Sequence, residues 1–253
     1  MNIVFEIIKY HWNAKGRHGI HSPFVYDLVD NCFTLKMNSI EKEQLKQFEQ
    51  QLKNNHTLID IEDFGVGSKR LGRRRKISSI YKTSSSRGKY GKLLFQLSRH
   101  YNFNNILELG TSLGIGTYHL HLGNQRSNIT SIEACKETWD CAENNLGKFK
   151  NIQLIQSTFD HFLQKNSDKK FDFIFVDGHH DGEALLHYMQ LLKSHSHNDT
   201  IFLLDDIRWS NSMFEAWNKI KTDNEYHLTI DLFRMGLVIQ RSQQQKEHFT
   251  LSI

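Results

Sequence analysis

The chain has 253 residues, 38% of them hydrophobic and 24% charged, with a net charge of +4 when histidine is neutral. That balance is ordinary for a soluble protein, and the length suits one domain with an appended module. The longest apolar runs, such as Phe173 to Val176, are strand-sized, which excludes a membrane span.

Met1 to Tyr10 holds a short apolar stretch broken by Glu6, without a basic start or a small-residue cleavage site, so it does not read as a secretory signal. A cytoplasmic location with no membrane partner is expected. Cys32, Cys135 and Cys141 are odd in number and lack a Cys-x-x-Cys pair, which argues against a disulfide framework or a zinc site. Cys135 and Cys141 read as helix-packing residues.

The first hundred residues read as helices and loops without strong strand signals. Ser22-Pro23 reads as a helix start, because serine can cap free amides and proline suits the first turn. Leu45, Phe48 and Leu52 share a helical face within Glu41 to Lys53, and a further helix over Lys89 to His100 turns Leu93, Leu94 and Leu97 inward. This part is also the basic one: residues 1–100 carry 18 Lys and Arg against 9 Asp and Glu, whereas residues 101–253 carry 14 against 19. Lys69, Arg70, Arg73, Arg74, Arg75 and Lys76 form a run that can meet the phosphates of a nucleic acid or lie as a solvated loop. Residues 1–87 are therefore expected to form a helical, basic cap on a second domain over 88–253, with no flexible linker between them.

From residue 104 onward short β-rich runs alternate with helical periods, the pattern of consecutive βαβ units. Strands are expected at Asn105–Leu109, Asn128–Glu133, Ile152–Gln156, Phe171–Asp177 and Thr200–Asp205. Helices are expected near 115–124, 136–147, 158–165, 181–194 and 210–222. Tyr226 to Leu232 and Met235 to Gln240 lie too close for a crossover helix and predict an antiparallel hairpin. The fold class is thus α/β: a Rossmann-like doubly wound sheet, mostly parallel, closed by an antiparallel C-terminal hairpin.

Three sets of residues carry chemistry. Ile106 to Thr117 is an apolar strand running into a glycine turn, spaced Gly110-x-x-x-Gly114-x-Gly116, and then a helix. Glycines let backbone approach a ligand, and this spacing differs from the one that cradles a pyrophosphate, favouring a ligand without a diphosphate. Glu108 before the first glycine can meet a ligand ammonium. Glu133 ends the second strand, where an acid can accept hydrogen bonds from both ribose hydroxyls; it can also cap the next helix. Asp177 and the pair Asp205-Asp206 end neighbouring strands, where clustered acids repel unless solvated, protonated or bridged by a cation; oxygen ligands alone would select Mg²⁺. His179 and His180 share that mouth, and His180 is the first choice for a general base. His195 and His197 read as helix-end residues, and Trp209 as a wall of the pocket or a packing residue.

Together these residues resemble the class I S-adenosylmethionine (SAM)-dependent methyltransferases, in particular the catechol-O-methyltransferase-like branch, over roughly residues 88–241. The resemblance implies SAM as cofactor, with Glu108, Gly110, Thr111, Ser112, Gly114 and Gly116 in the cofactor loop, Glu133 on the ribose, and Ser157 and Thr158 near the adenine edge. It implies Asp177, Asp205 and Asp206 as ligands of a divalent metal, while Asp177 and His180 are the catalytic candidates, with two departures from the family pattern. Relatives carry lysine where His180 stands, and Asp-Asn where Asp205-Asp206 stands. The expected activity is methyl transfer to an oxygen of a small molecule. An RNA methyltransferase using the 69–76 run and a SAM-binding protein without turnover are the alternatives, and the assembly, including a homodimer, is left open.

Overall fold

The computed structural model describes residues 3–14, 21–62, 74–83 and 86–253. The segment from residue 63 to 68, and Lys69, Arg70 and Arg73 of the basic run, lie outside them. Arg74, Arg75 and Lys76 form a short strand, β2 (Arg74–Lys76), antiparallel to β1 (Leu58–Asp60). These two strands lie in a region read from sequence as helix and loop.

The N-terminal part otherwise consists of α1 (Ile3–Asn13), α2 (Pro23–Asp27) continuing into a π turn over Leu28–Cys32, α3 (Ser39–Lys53), α4 (Ile77–Thr83) and α5 (Gly88–Tyr101). Pro23 opens α2 as expected, but the Ser22 side chain makes no capping hydrogen bond. The reciprocal cap sits on α3 instead: Asn38 Oδ1 accepts from the Glu41 amide at 2.9 Å while the Glu41 carboxylate accepts from the Asn38 amide at 2.9 Å. Helix α5 ends at Asn102, whose left-handed backbone turns the chain into the sheet.

The large sheet contains β3 (Asn105–Leu109), β4 (Asn128–Glu133), β5 (Ile152–Gln156), β6 (Phe173–Val176), β7 (Ile201–Leu204), β8 (Leu228–Leu232), β9 (Met235–Ile239) and β10 (Glu247–Thr250), in the order β10-β8-β9-β7-β6-β3-β4-β5. Strands β3 to β7 are mutually parallel, and β9 runs antiparallel to both β7 and β8. The hairpin therefore closes the sheet as expected, while β10, which the sequence reading lacks, adds itself parallel to β8 at the edge. Between the strands lie α6 (Ile115–Gly123), α7 (Lys136–Leu146), α8 (Phe159–Lys165), α9 (Gly182–Leu192) and α10 (Asn211–Thr222).

Alternation along the strands divides the core. Ile106, Phe173, Phe175 and Leu203 pack with Val25, Leu28, Phe48, Leu52, Leu93 and Leu94 on one face. Leu107, Leu109, Ile174, Val176, Phe202 and Leu204 pack with Phe162, Leu185, Met189 and Trp217 on the other. Strands buried on both sides must be apolar at every position, which is why β6 and β7 read as unbroken hydrophobic runs. Each such side chain contributes roughly 1.5–3 kcal/mol on burial. His195 belongs to this core rather than to a solvated helix end: it is fully buried, its ring nitrogens 2.9 Å from the Leu163 carbonyl and 3.1 Å from that of Lys169.

Candidate functional site

The register aligns Leu109 with Ile132 and Val176, and Val176 with Leu204, so the residues that follow β3, β4, β6 and β7 emerge along one carboxyl edge. Ligands of open α/β sheets bind at this edge. Gly110, Glu133, Asp177 and Asp205 are thereby brought together. The Asp177 amide donates to the Leu109 carbonyl and the Asp205 amide to that of Val176, both at 2.9 Å.

The glycine loop is shaped by its protein neighbours. A Cβ on Gly110, where φ is +108°, would lie 1.9 Å from the Asp177 carbonyl oxygen, so the close approach of these two turns admits only glycine. A Cβ on Gly116 would meet Glu108 Oε1 at 2.5 Å and Ser86 Oγ at 3.2 Å. These two glycines make room for the site's own walls, whereas the sequence reading put clearance for a ligand first.

Glu108 is 1% exposed. Its Oε2 accepts hydrogen bonds from Thr117 Oγ1 and, at 2.6 Å, from Ser131 Oγ, with the Thr111 hydroxyl 2.5 Å further along the chain. Its Oε1 is buried without a hydrogen-bond partner among the described residues. Burial pushes the carboxyl up to about 7, against the pull of Ser131 and Thr117. An orphaned buried carboxylate oxygen fits a ligand ammonium, which would restore its charge and its missing bond.

Glu133 is also raised by burial, opposed by backbone amides. Its Oε2 accepts from the Ser112 amide at 2.8 Å and its Oε1 from the Cys135 amide at 2.9 Å. It thus clamps the glycine loop to the start of α7, where Thr138 and the Ala134 amide also act on it. Thr158 caps α8 through the His161 amide at 3.3 Å, and Ser157 donates to the Thr158 carbonyl at 3.0 Å.

On the acceptor side, Ser86 Oγ donates to Asp177 Oδ2 at 3.3 Å. His180 Nδ1 lies 3.5 Å from Asp206 Oδ2, and its ring centre 5.6 Å from that of Trp209, which is 64% exposed. His179 turns away, with Nδ1 2.9 Å from the Tyr188 hydroxyl and its ring against Phe159. His179, His180 and Asp206 all have positive φ, a strain that functional edges retain when the surrounding structure imposes it.

The expected cation site differs from what the residues form. Arg234 from the β8–β9 turn places Nε 3.2 Å from Asp205 Oδ1 and 2.8 Å from Asp206 Oδ1. Among the described residues no group of three or more His, Cys, Asp or Glu side chains is arranged to hold a metal ion. A divalent ion could ligate Asp205 Oδ1 and Asp206 Oδ1 only by displacing the guanidinium that holds them. The residues present do not fit Mg²⁺. Ser86, Tyr90 and Arg234 were all missed by sequence reasoning; Tyr90 lies beneath the guanidinium, 5.4 Å from ring centre to Cζ. Only the polarity of the Phe233-Arg234 turn hinted at it.

Comparisons agree with this geometry. Residues 107–207 match the family model of a methyltransferase domain. A putative caffeoyl-CoA O-methyltransferase from Staphylococcus aureus superposes with a TM-score of 0.57 at 18% identity, covering 64% of this chain and 88% of that one. An S-adenosylhomocysteine (SAH)-bound methyltransferase from Podospora anserina gives 0.55 at 16% identity, covering 81% and 97%. An O-methyltransferase from Bacillus cereus in complex with SAH gives 0.53 at 18% identity, covering 85% and 95%. No curated protein matches the chain. No helix of the described residues is long and apolar enough to cross a membrane.

Proposed function

We propose that this chain, whose residues 107–207 match a methyltransferase-domain model and whose fold resembles SAH-bound structures, uses SAM to methylate an oxygen of a small-molecule acceptor. The observation that carries the cofactor reading is the buried, unpartnered Oε1 of Glu108 beneath a loop clamped by Glu133.

In this reading Glu108 receives the ammonium end of the cofactor and Glu133 the ribose, with Gly110, Thr111, Ser112, Gly114 and Gly116 as the intervening cradle. Ser157 and Thr158 flank the adenine edge. When bound, the cofactor supplies a methyl group already activated by a positive sulfur. What remains for the protein is alignment and removal of one proton, and alignment contributes most of the acceleration.

Asp177, held by Ser86, borders the path between cofactor and acceptor. His180 takes the acceptor proton on Nε2, because its Nδ1 faces Asp206, and Asp206 steadies the imidazolium that results. His180 would thereby leave the acceptor oxygen deprotonated and free to take the methyl group of a bound SAM. No step requires a metal.

The reading is tested first by calorimetric titration with SAH. Saturable binding by the wild type that Glu133→Ala weakens supports it, and absence of binding rejects it. The transfer step is then followed as SAH release over a panel of hydroxyl acceptors, where His180→Gln is expected to lower kcat by about 10²–10⁴ and leave SAH affinity unchanged.

A further inference from the structure

Arg234 stands inside the carboxylate cluster at the acceptor edge. We propose that its guanidinium is a built-in cation that takes the place a divalent metal would occupy, and that it draws in the hydroxyl of the acceptor; the inference rests on the methyl-transfer reading above.

The position of Arg234 is fixed by backbone as well as by charge. Its amide donates to the Leu232 carbonyl at 3.0 Å, and its carbonyl accepts from the Ile207 amide at 2.9 Å. The β8–β9 turn is thus tied to the loop that carries Asp205 and Asp206, which sets the point from which the side chain reaches both acids. Asp205 and Asp206 side chains are 0% and 10% exposed and share the one guanidinium, on which Asp177 also acts. The Arg234 side chain keeps 30% exposure, and its closest contacts to both acids run through Nε. The planar fork has five donors, so the far side of the fork retains donors for a ligand.

The chemistry of this arrangement selects among acceptors. Asp205 Oδ2 is buried without a hydrogen-bond partner among the described residues. A hydroxyl group can donate to such an acid and accept from a guanidinium at once, whereas a carboxylate has no proton to offer and meets three acids against one guanidinium. The acceptor class is therefore an alcohol or phenol rather than a carboxylic acid. A metal ion would need the oxygens that Arg234 holds.

The test uses Mn²⁺ as the probe, with its free-ion electron paramagnetic resonance signal recorded during titration into the full chain saturated with SAH. Wild-type protein is expected to leave the signal undiminished, Arg234→Gln to remove one equivalent, and Arg234→Gln combined with Asp206→Asn to lose that uptake. Stoichiometric uptake by the wild type, abolished by Asp206→Asn, would overturn the inference, as would an Arg234→Gln protein that binds SAH normally and takes up no Mn²⁺. Calorimetry with SAH keeps the two levels apart: failure to bind SAH by the wild type counts against the methyl-transfer reading, whereas Mn²⁺ uptake by the wild type with SAH affinity intact counts against Arg234 alone.

Discussion

Lowering the pH from 7 to 6 should weaken SAH binding through a single carboxyl group, Glu108. Its pKa is pushed up to about 7 by complete burial, and only its ionised form pairs with a ligand ammonium. The ionised fraction falls from about a half to about a tenth over that interval, so the association constant should drop about fivefold, or roughly 1 kcal/mol. The sign for stability is opposite to that of a salt-bridged acid. Because the folded value lies above the ordinary 4.5, the folded chain holds this proton more tightly than the unfolded one. That stability is present below 4.5 and is lost as the pH rises through 7, by on the order of 3 kcal/mol. Glu108→Gln should therefore bind SAH more weakly at pH 7, lose most of the pH 6–7 slope, and melt with less dependence on pH than the wild type. Calorimetric titration at half-unit steps, with melting curves in the same buffers, measures both. A wild-type affinity that is flat across the interval, or a Glu108→Gln protein with the same slope, would refute the assignment of Oε1 to an ammonium.

Other substitutions probe the scaffold around that acid. Gly110→Ala forces a Cβ to 1.9 Å from the Asp177 carbonyl at a left-handed position. It should cost on the order of 3 kcal/mol and lower Tm by roughly 6–12 °C, so an unchanged melt would mean the two turns separate freely. Glu133→Ala removes the acceptor of the Ser112 and Cys135 amides, each bond to a charged group contributing roughly 1.5–3 kcal/mol. A loss of SAH affinity beyond the loss of stability is expected, and equal SAH affinity in a folded variant rejects the ribose role. Asp231→Ala removes the bidentate partner of Arg208, whose side chain is 8% exposed and pairs with both Asp231 oxygens at 2.8 and 2.7 Å, leaving it Glu6 at 3.7 Å and the Phe233 carbonyl at 2.6 Å. The expected destabilisation is about 3–5 kcal/mol by urea unfolding, with much of it recovered by a second change, Arg208→Met.

The sheet was legible because its strands advertise themselves. Asn105–Leu109, Asn128–Glu133 and Ile152–Gln156 fall where the sequence pattern sets them, and the close spacing of Leu232 and Met235 leaves only a hairpin. Strand β10 was not legible: in Glu247–Thr250 only Phe249 is buried, and its partner Leu228 to Asp231 lies across the intervening β9. Strands β1 and β2 escaped for a similar reason, since three-residue strands such as Leu58–Asp60 and Arg74–Lys76 carry no period to detect. Glu108, Glu133, Asp177 and His180 could be picked out as candidates because they lie at or shortly after the carboxyl ends of strands. Arg234 was invisible because a cation in a hairpin turn is ordinarily a solvated one, and only the β7–β9 pairing brings it to Asp205.

The cofactor loop illustrates how one residue type can answer two demands. Glycines at Gly110 and Gly116 were read as clearance for a ligand, yet each is required by a protein atom, the Asp177 carbonyl in one case and the Glu108 carboxylate in the other. The Glu133 carboxylate already satisfies two backbone amides of the edge, so the loop is largely preorganised before any ligand arrives. Glu108 is different: one oxygen is saturated by Thr117 and Ser131, and the other is buried and unpaired. Leaving this oxygen buried without a partner stores destabilisation where a ligand cation relieves it. Ligand binding and folding are thereby coupled through Glu108, so SAH should raise Tm more in the wild type than in Glu108→Gln at equal fractional saturation.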